Sequence, residues 1–121
     1  IHFMLTETQP QQLLVESRNW ISHLATYVEG INGLKTQFYK WAAGKTHRDE
    51  LIQIEHFHNQ FHIQLINLHD LKHAIRQHIK EVEFNKETDH TEKHMQLEDQ
   101  YNFLVKDLDN LKTEFTAFVG A

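Results

Sequence analysis

Apolar residues recur along this chain at alternating steps of three and four in three long stretches. The first carries Trp20, Leu24, Tyr27, Ile31, Leu34, Phe38 and Trp41. The second carries Leu51, Ile54, Phe61, Leu65, Leu68, Ile75, Ile79 and Val82, and turns polar at two positions, His58 and Lys72. The third carries His94, Leu97, Tyr101, Leu104, Leu108, Leu111, Phe115 and Phe118. A repeat averaging ~3.5 residues draws one narrow stripe down a helix, and such a stripe is stable only when other helices cover it. The pattern predicts an all-α chain of three long helices.

Local signals place the ends. Thr8 and Pro10 suit the start of the first helix, because the first turn has no use for the N–H that proline lacks. Gly44 stands just past Trp41, where a left-handed cap is wanted. Gly30 and Gly33 cost about 1 kcal/mol each relative to alanine, but the stripe keeps phase across them, so one continuous helix is expected. Thr46 with Asp49 three residues on reads as a shortened capping box opening the second helix, which runs to about Phe84. The turn Asn85-Lys86-Glu87-Thr88 follows, with Thr88 or Asp89 capping a third helix that ends at Val119. Connections this short can only reverse direction.

The expected architecture is a long up-down-up antiparallel three-helix bundle, coiled-coil-like, with a seam that a second copy can share to form a dimer. Folding back sets Trp41 near Leu51, Phe38 near Ile54, Ile79 near Leu97 and Phe61 near Phe115. One domain is expected over residues 9–121, after a disordered segment over residues 1–8. Met4 reads as a natural start, with residues 1–3 added ahead of it.

Composition narrows the chemistry. The chain of 121 residues has no cysteine, which excludes disulfides, thiolate metal sites and cysteine nucleophiles and suits a reducing cytoplasm. Its formal charge is −5, and no Lys/Arg cluster of the kind that holds phosphate backbones occurs, so nucleic acid is not an expected partner. No apolar run approaches the ~20 residues of a membrane span. Gly-rich phosphate loops, nucleophile elbows and Ser/His/Asp arrangements are missing, and a filled bundle offers little concavity, so no enzyme is expected.

Eleven histidines are the compositional oddity, six of them on the second helix. Imidazole is a common ligand of zinc and iron, and histidines four apart share a helix face. The expected fold brings His69 and His73 to within a turn of His23, and His78 to within a turn of His94, with His90 closer to the start of the third helix. His23/His69/His73 and His78/His90/His94 are therefore the two candidate metal clusters, for Zn or Fe. Neither has all its members on the stripe. Protonating every histidine would carry the formal charge from −5 to +6, so least solubility is expected near the sequence pI of 6.1.

The order His23, then His69-x-x-x-His73, then His94-x-x-x-x-Asp99 resembles the ligand order of hemerythrins. The middle His-x-x-x-Glu of that family is missing, Ile54 and His58 standing at the nearest spacing, so its di-iron site is not carried over. Trp20, Leu24 and Glu29, with Glu55-His56-Phe57-His58-Asn59-Gln60-Phe61 and Leu71-Lys72-His73, are similar to a group of small all-helical bacterial proteins of the Bacteroidetes type. That resemblance spans Trp20 to about His78. It implies a helical fold and supplies no chemistry.

The functional expectation is a non-enzymatic structural or protein-interaction module without a cofactor, docking a protein partner or a second copy. Phe57, Phe84 and Phe103 lie off the main stripe and, with His56, form the expected docking surface. The alternative is a histidine-rich bundle that binds or senses zinc or iron.

Overall fold

Three helices make up the computed structural model: α1 (His2–Ala42), α2 (Arg48–Phe84) and α3 (Thr91–Gly120). The structure describes the backbone of residues 2–120 and the side chains of residues 9–120. The segment over residues 1–8, expected to be disordered, has no described side chains, and its backbone from His2 onward belongs to α1. α1 is continuous through Gly30 and Gly33, and it carries Pro10 inside it rather than in its first turn. Gly44 takes φ +81°, the left-handed cap its position suggested.

The start of α2 differs from expectation. His47, not Thr46, is the N-cap, and its ring Nδ1 accepts the Asp49 N–H. Asp49 and Glu50 then fill the first turn, where carboxylates suit the positive helix end. Lys45 lies over the Trp41 ring at 4.8 Å and pairs with Glu50 at 3.6 Å, tying the connection to both helices. At the other reversal the His90 carbonyl accepts the first helical N–H, from His94, which puts His90 at the N-cap rather than the expected Thr88 or Asp89; the Asp89 carboxylate, one residue earlier, accepts the Thr91 N–H at 3.0 Å.

The three helices pack as an up-down-up antiparallel bundle, with α2 against both neighbours. Trp20, Leu24, Ile31 and Phe38 from α1 and Leu97, Leu104, Leu108 and Phe115 from α3 are buried as the stripes require. Phe38, Phe57, Phe61 and Phe115 form one aromatic cluster, with ring centroids 5.3–6.4 Å apart.

That cluster meets one expectation, the packing of Phe61 on Phe115, and corrects another. Phe38 meets Phe57 and Phe61, and Ile54 packs against the same core. Phe57, expected on the docking surface, is only 1% exposed. The buried seam of α2 is Phe57, Phe61, Gln64, Leu68, Leu71, Ile75, His78 and Val82. Every second position of the expected stripe is displaced by one residue, which moves His58 out to the surface and leaves Lys72 half-buried on a flank. The cause is the central place of α2: facing two helices, it must bury a wider arc than a two-helix stripe, so Leu65 and Ile79 are partly buried as well.

Candidate functional site

Helices α1 and α3 run parallel, and the upper part of their contact is polar and aromatic. The Gln9 amide donates to the Thr91 hydroxyl, His23 is hydrogen-bonded to the Tyr101 hydroxyl, and the Tyr27 hydroxyl donates to Asp109 at 2.8 Å. Burial and the Asp109 carboxylate push the Tyr27 phenol up to about 12. Between these contacts Trp20 stacks on His94, with centroids 4.6 Å apart, and on Tyr101 at 5.6 Å.

His94 lies where all three helices meet. Its Nε2 is 2.7 Å from Glu16 Oε1 on α1, and its Nδ1 is 3.0 Å from His78 Nε2 on α2. Gln12 donates to the second Glu16 oxygen at 3.3 Å. The bond from His94 is the first cause that holds the Glu16 carboxyl below the ordinary carboxylate value. With both rings neutral the geometry fixes the tautomers. His94 Nε2–H donates to the carboxylate, His78 Nε2–H donates to His94 Nδ1, and His78 Nδ1 carries a bare lone pair. That atom is buried without a hydrogen-bond partner, as is Ser17 Oγ on α1. A proton added at His78 Nδ1 would meet no acceptor, and burial lowers the His78 pKa to about 4.

The two expected metal clusters fare differently. His78 and His94 come together, with the His90 ring 6.3 Å from that of His78, but as a hydrogen-bonded chain ending on Glu16. His90 is occupied otherwise, its Nε2 donating to the Asn85 carbonyl at 2.8 Å. His23 faces Tyr101, while His69 and His73 are exposed on α2. Among the described residues no group of three or more His, Cys, Asp or Glu side chains is placed to hold a metal ion. Glu16 is the member that spacing along one helix cannot find. The signal lies in register, since the offset of 78 residues that joins His23 to Tyr101 also joins Glu16 to His94.

A second feature lies between α2 and α3. A groove of about 600 Å³ has Leu71 and Leu104 as its floor, Asn67, Asp70 and Ala74 along α2, and Asp99, Phe103 and Asp107 along α3. No Lys or Arg lines it. Phe103 is 68% exposed, as its off-stripe position suggested, and Phe84 at the end of α2 is 84% exposed. His56 is exposed and bonded to Glu114 at 3.1 Å, so it lies on the surface but beside α3 rather than free of it.

No helix among the described residues is long and apolar enough to cross a membrane. Comparison with protein families, with curated proteins and with solved structures finds no match for this chain.

Proposed function

We propose that this chain is a non-enzymatic helical module that holds a protein partner, or a second copy of itself, on its outer faces. The observation that carries this reading is Phe103, a large aromatic side chain 68% exposed on the wall of a groove. The interior is already filled by Phe38, Phe57, Phe61 and Phe115, so the exposed Phe103 ring is apolar surface that the fold itself does not use. The formal charge of −5 and the lack of a basic cluster favour protein over nucleic acid as the partner. The absence of cysteine suits a cytoplasmic location, which belongs to the same proposal.

Two measurements test the reading. Sedimentation over a wide concentration range asks whether the chain self-associates, and affinity capture with Phe103→Ser as control asks whether another protein binds. An association that Phe103→Ser weakens is the expected result. A monomer at every concentration, with the same captured proteins for wild type and variant, refutes it. The zinc- or iron-binding alternative has no geometric observation in its favour. Its own test is elemental analysis of protein purified without an affinity tag, with a melting scan after adding each metal.

A further inference from the structure

We infer that the α2/α3 groove takes a basic amphipathic helix from a different protein. This deepens the interaction reading above and rests on it. The groove is built in two chemical layers. Leu71 and Leu104 are buried at its floor, and the small side chain of Ala74 leaves that floor open to an incoming apolar residue. Asp99, Phe103 and Asp107 follow one another at steps of four on α3, so they line one edge, with the phenyl ring between two carboxylates. Asp70 stands on the opposite edge. The span from Asp99 to Asp107 is about 12 Å at ~1.5 Å per residue, the length of two turns of a docked helix.

Charge selects the occupant. Three carboxylates surround the apolar floor with no cation among the lining residues. An incoming helix with leucine-like residues at steps of three and four would cover the floor and Phe103, and flanking lysines or arginines would meet the carboxylates. A second copy presenting the same face would bring six carboxylates together, which disfavours self-association through this groove.

The test uses three synthetic peptides as probes: a Leu/Lys amphipathic helix, the same helix with every Lys replaced by Glu, and a Leu/Lys peptide of equal composition with the apolar period scrambled. Binding to the full chain is read by fluorescence anisotropy at low and at high salt. Only the first peptide is expected to bind, more weakly at high salt. The triple variant Asp70→Asn, Asp99→Asn, Asp107→Asn should weaken it roughly tenfold, since exposed charge pairs contribute little singly. Phe103→Ala should weaken it at both salt concentrations. Circular dichroism and melting confirm that each variant is folded.

The inference is overturned if the Glu peptide binds as well as the Lys peptide, if the triple variant leaves binding unchanged, or if no peptide binds. It is also overturned if the wild type forms a dimer that these substitutions dissolve, since the occupant is then a second copy. In each of these cases the broader interaction reading keeps its own test by capture and sedimentation with Phe103→Ser.

Discussion

Acid should loosen this bundle at one identifiable atom. His78 is 1% exposed and its Nδ1 has no hydrogen-bond partner. It faces His94 and Lys93 on α3 and His90 just before that helix, all of which disfavour a positive charge on it; Glu81 on its own helix favours one, and Glu16 on α1 reaches it only through His94. Burial is the largest effect, and the folded protein protonates His78 only near pH 4, against 6.5 for the ordinary group. The sign follows. Below 6.5 the unfolded chain takes up this proton while the folded chain does not, so the share of stability tied to neutral His78 is whole above 6.5, falls as pH drops, and is lost near 4. At ~1.4 kcal/mol per pH unit the loss is about 3 kcal/mol, a large share of the 5–15 kcal/mol typical of a domain.

Urea unfolding between pH 7.5 and 4.5, at one protein concentration, measures this loss. For a slope of about 2 kcal/mol per molar, the midpoint should fall by roughly 1–1.5 M over that range. Stopping at 4.5 limits the part played by Glu16, because the stability its lowered carboxyl contributes is present above the ordinary value of 4.5 and is lost as pH falls below it. His78→Phe keeps a ring of similar size and removes the titration. It should be less stable by about 1–3 kcal/mol at pH 7.5, because His94 Nδ1 loses its partner. Its midpoint should then change much less with pH than that of the wild type. Parallel pH profiles for the two proteins would refute the reasoning.

The core makes two further predictions. Phe57→Ala should cost about 3–5 kcal/mol, because the residue is buried against Phe38, Phe61, Phe115 and Phe118, while Phe103→Ala on the surface should stay within about 0.5 kcal/mol; chemical denaturation of both checks the contrast. Gly30→Ala should raise the melting temperature, worth up to about 1 kcal/mol, since an added Cβ meets nothing within 4 Å, whereas Gly44→Ala should lower it because φ there is +81°. Melting curves that move the other way would count against the continuous helix or the left-handed cap.

The helices were legible because their apolar steps are regular and their ends carry Gly44 and Asp89. The site was less so, and α2 shows why. Two overlapping seams can be drawn on it, sharing Phe61, Leu68, Ile75 and Val82. One adds His58, Leu65, Lys72 and Ile79, the other Phe57, Gln64, Leu71 and His78. Each contains two polar residues, so counting apolar positions cannot choose between them. What chooses is that α2 touches α1 on one side and α3 on the other, so that its buried arc centres on the second seam and takes in part of the first. The one-residue step sends Phe57 from the expected surface to the aromatic cluster and fixes His78 inside.

The same step decides the chemistry of the histidines. Spacing along one helix finds pairs four apart, such as His69 and His73 or His90 and His94, but a side chain's partner on another helix depends on register and rotation together. His69 and His73 lie on the exposed side of α2, while His78, on the buried seam, meets His94 and through it Glu16. Glu16 changes what the pair can do. A carboxylate on the far nitrogen of His94 orients that ring and holds its Nε2 proton, so Nδ1 faces His78 as an acceptor. Two imidazole nitrogens 3.0 Å apart then share one hydrogen, and a further proton has only His78 Nδ1 to take it, a buried atom that no acceptor meets. The histidine count offered a metal site as the alternative reading; the packed geometry makes this pair a hydrogen-bonded link between helices, one that acid should strain by protonating buried His78.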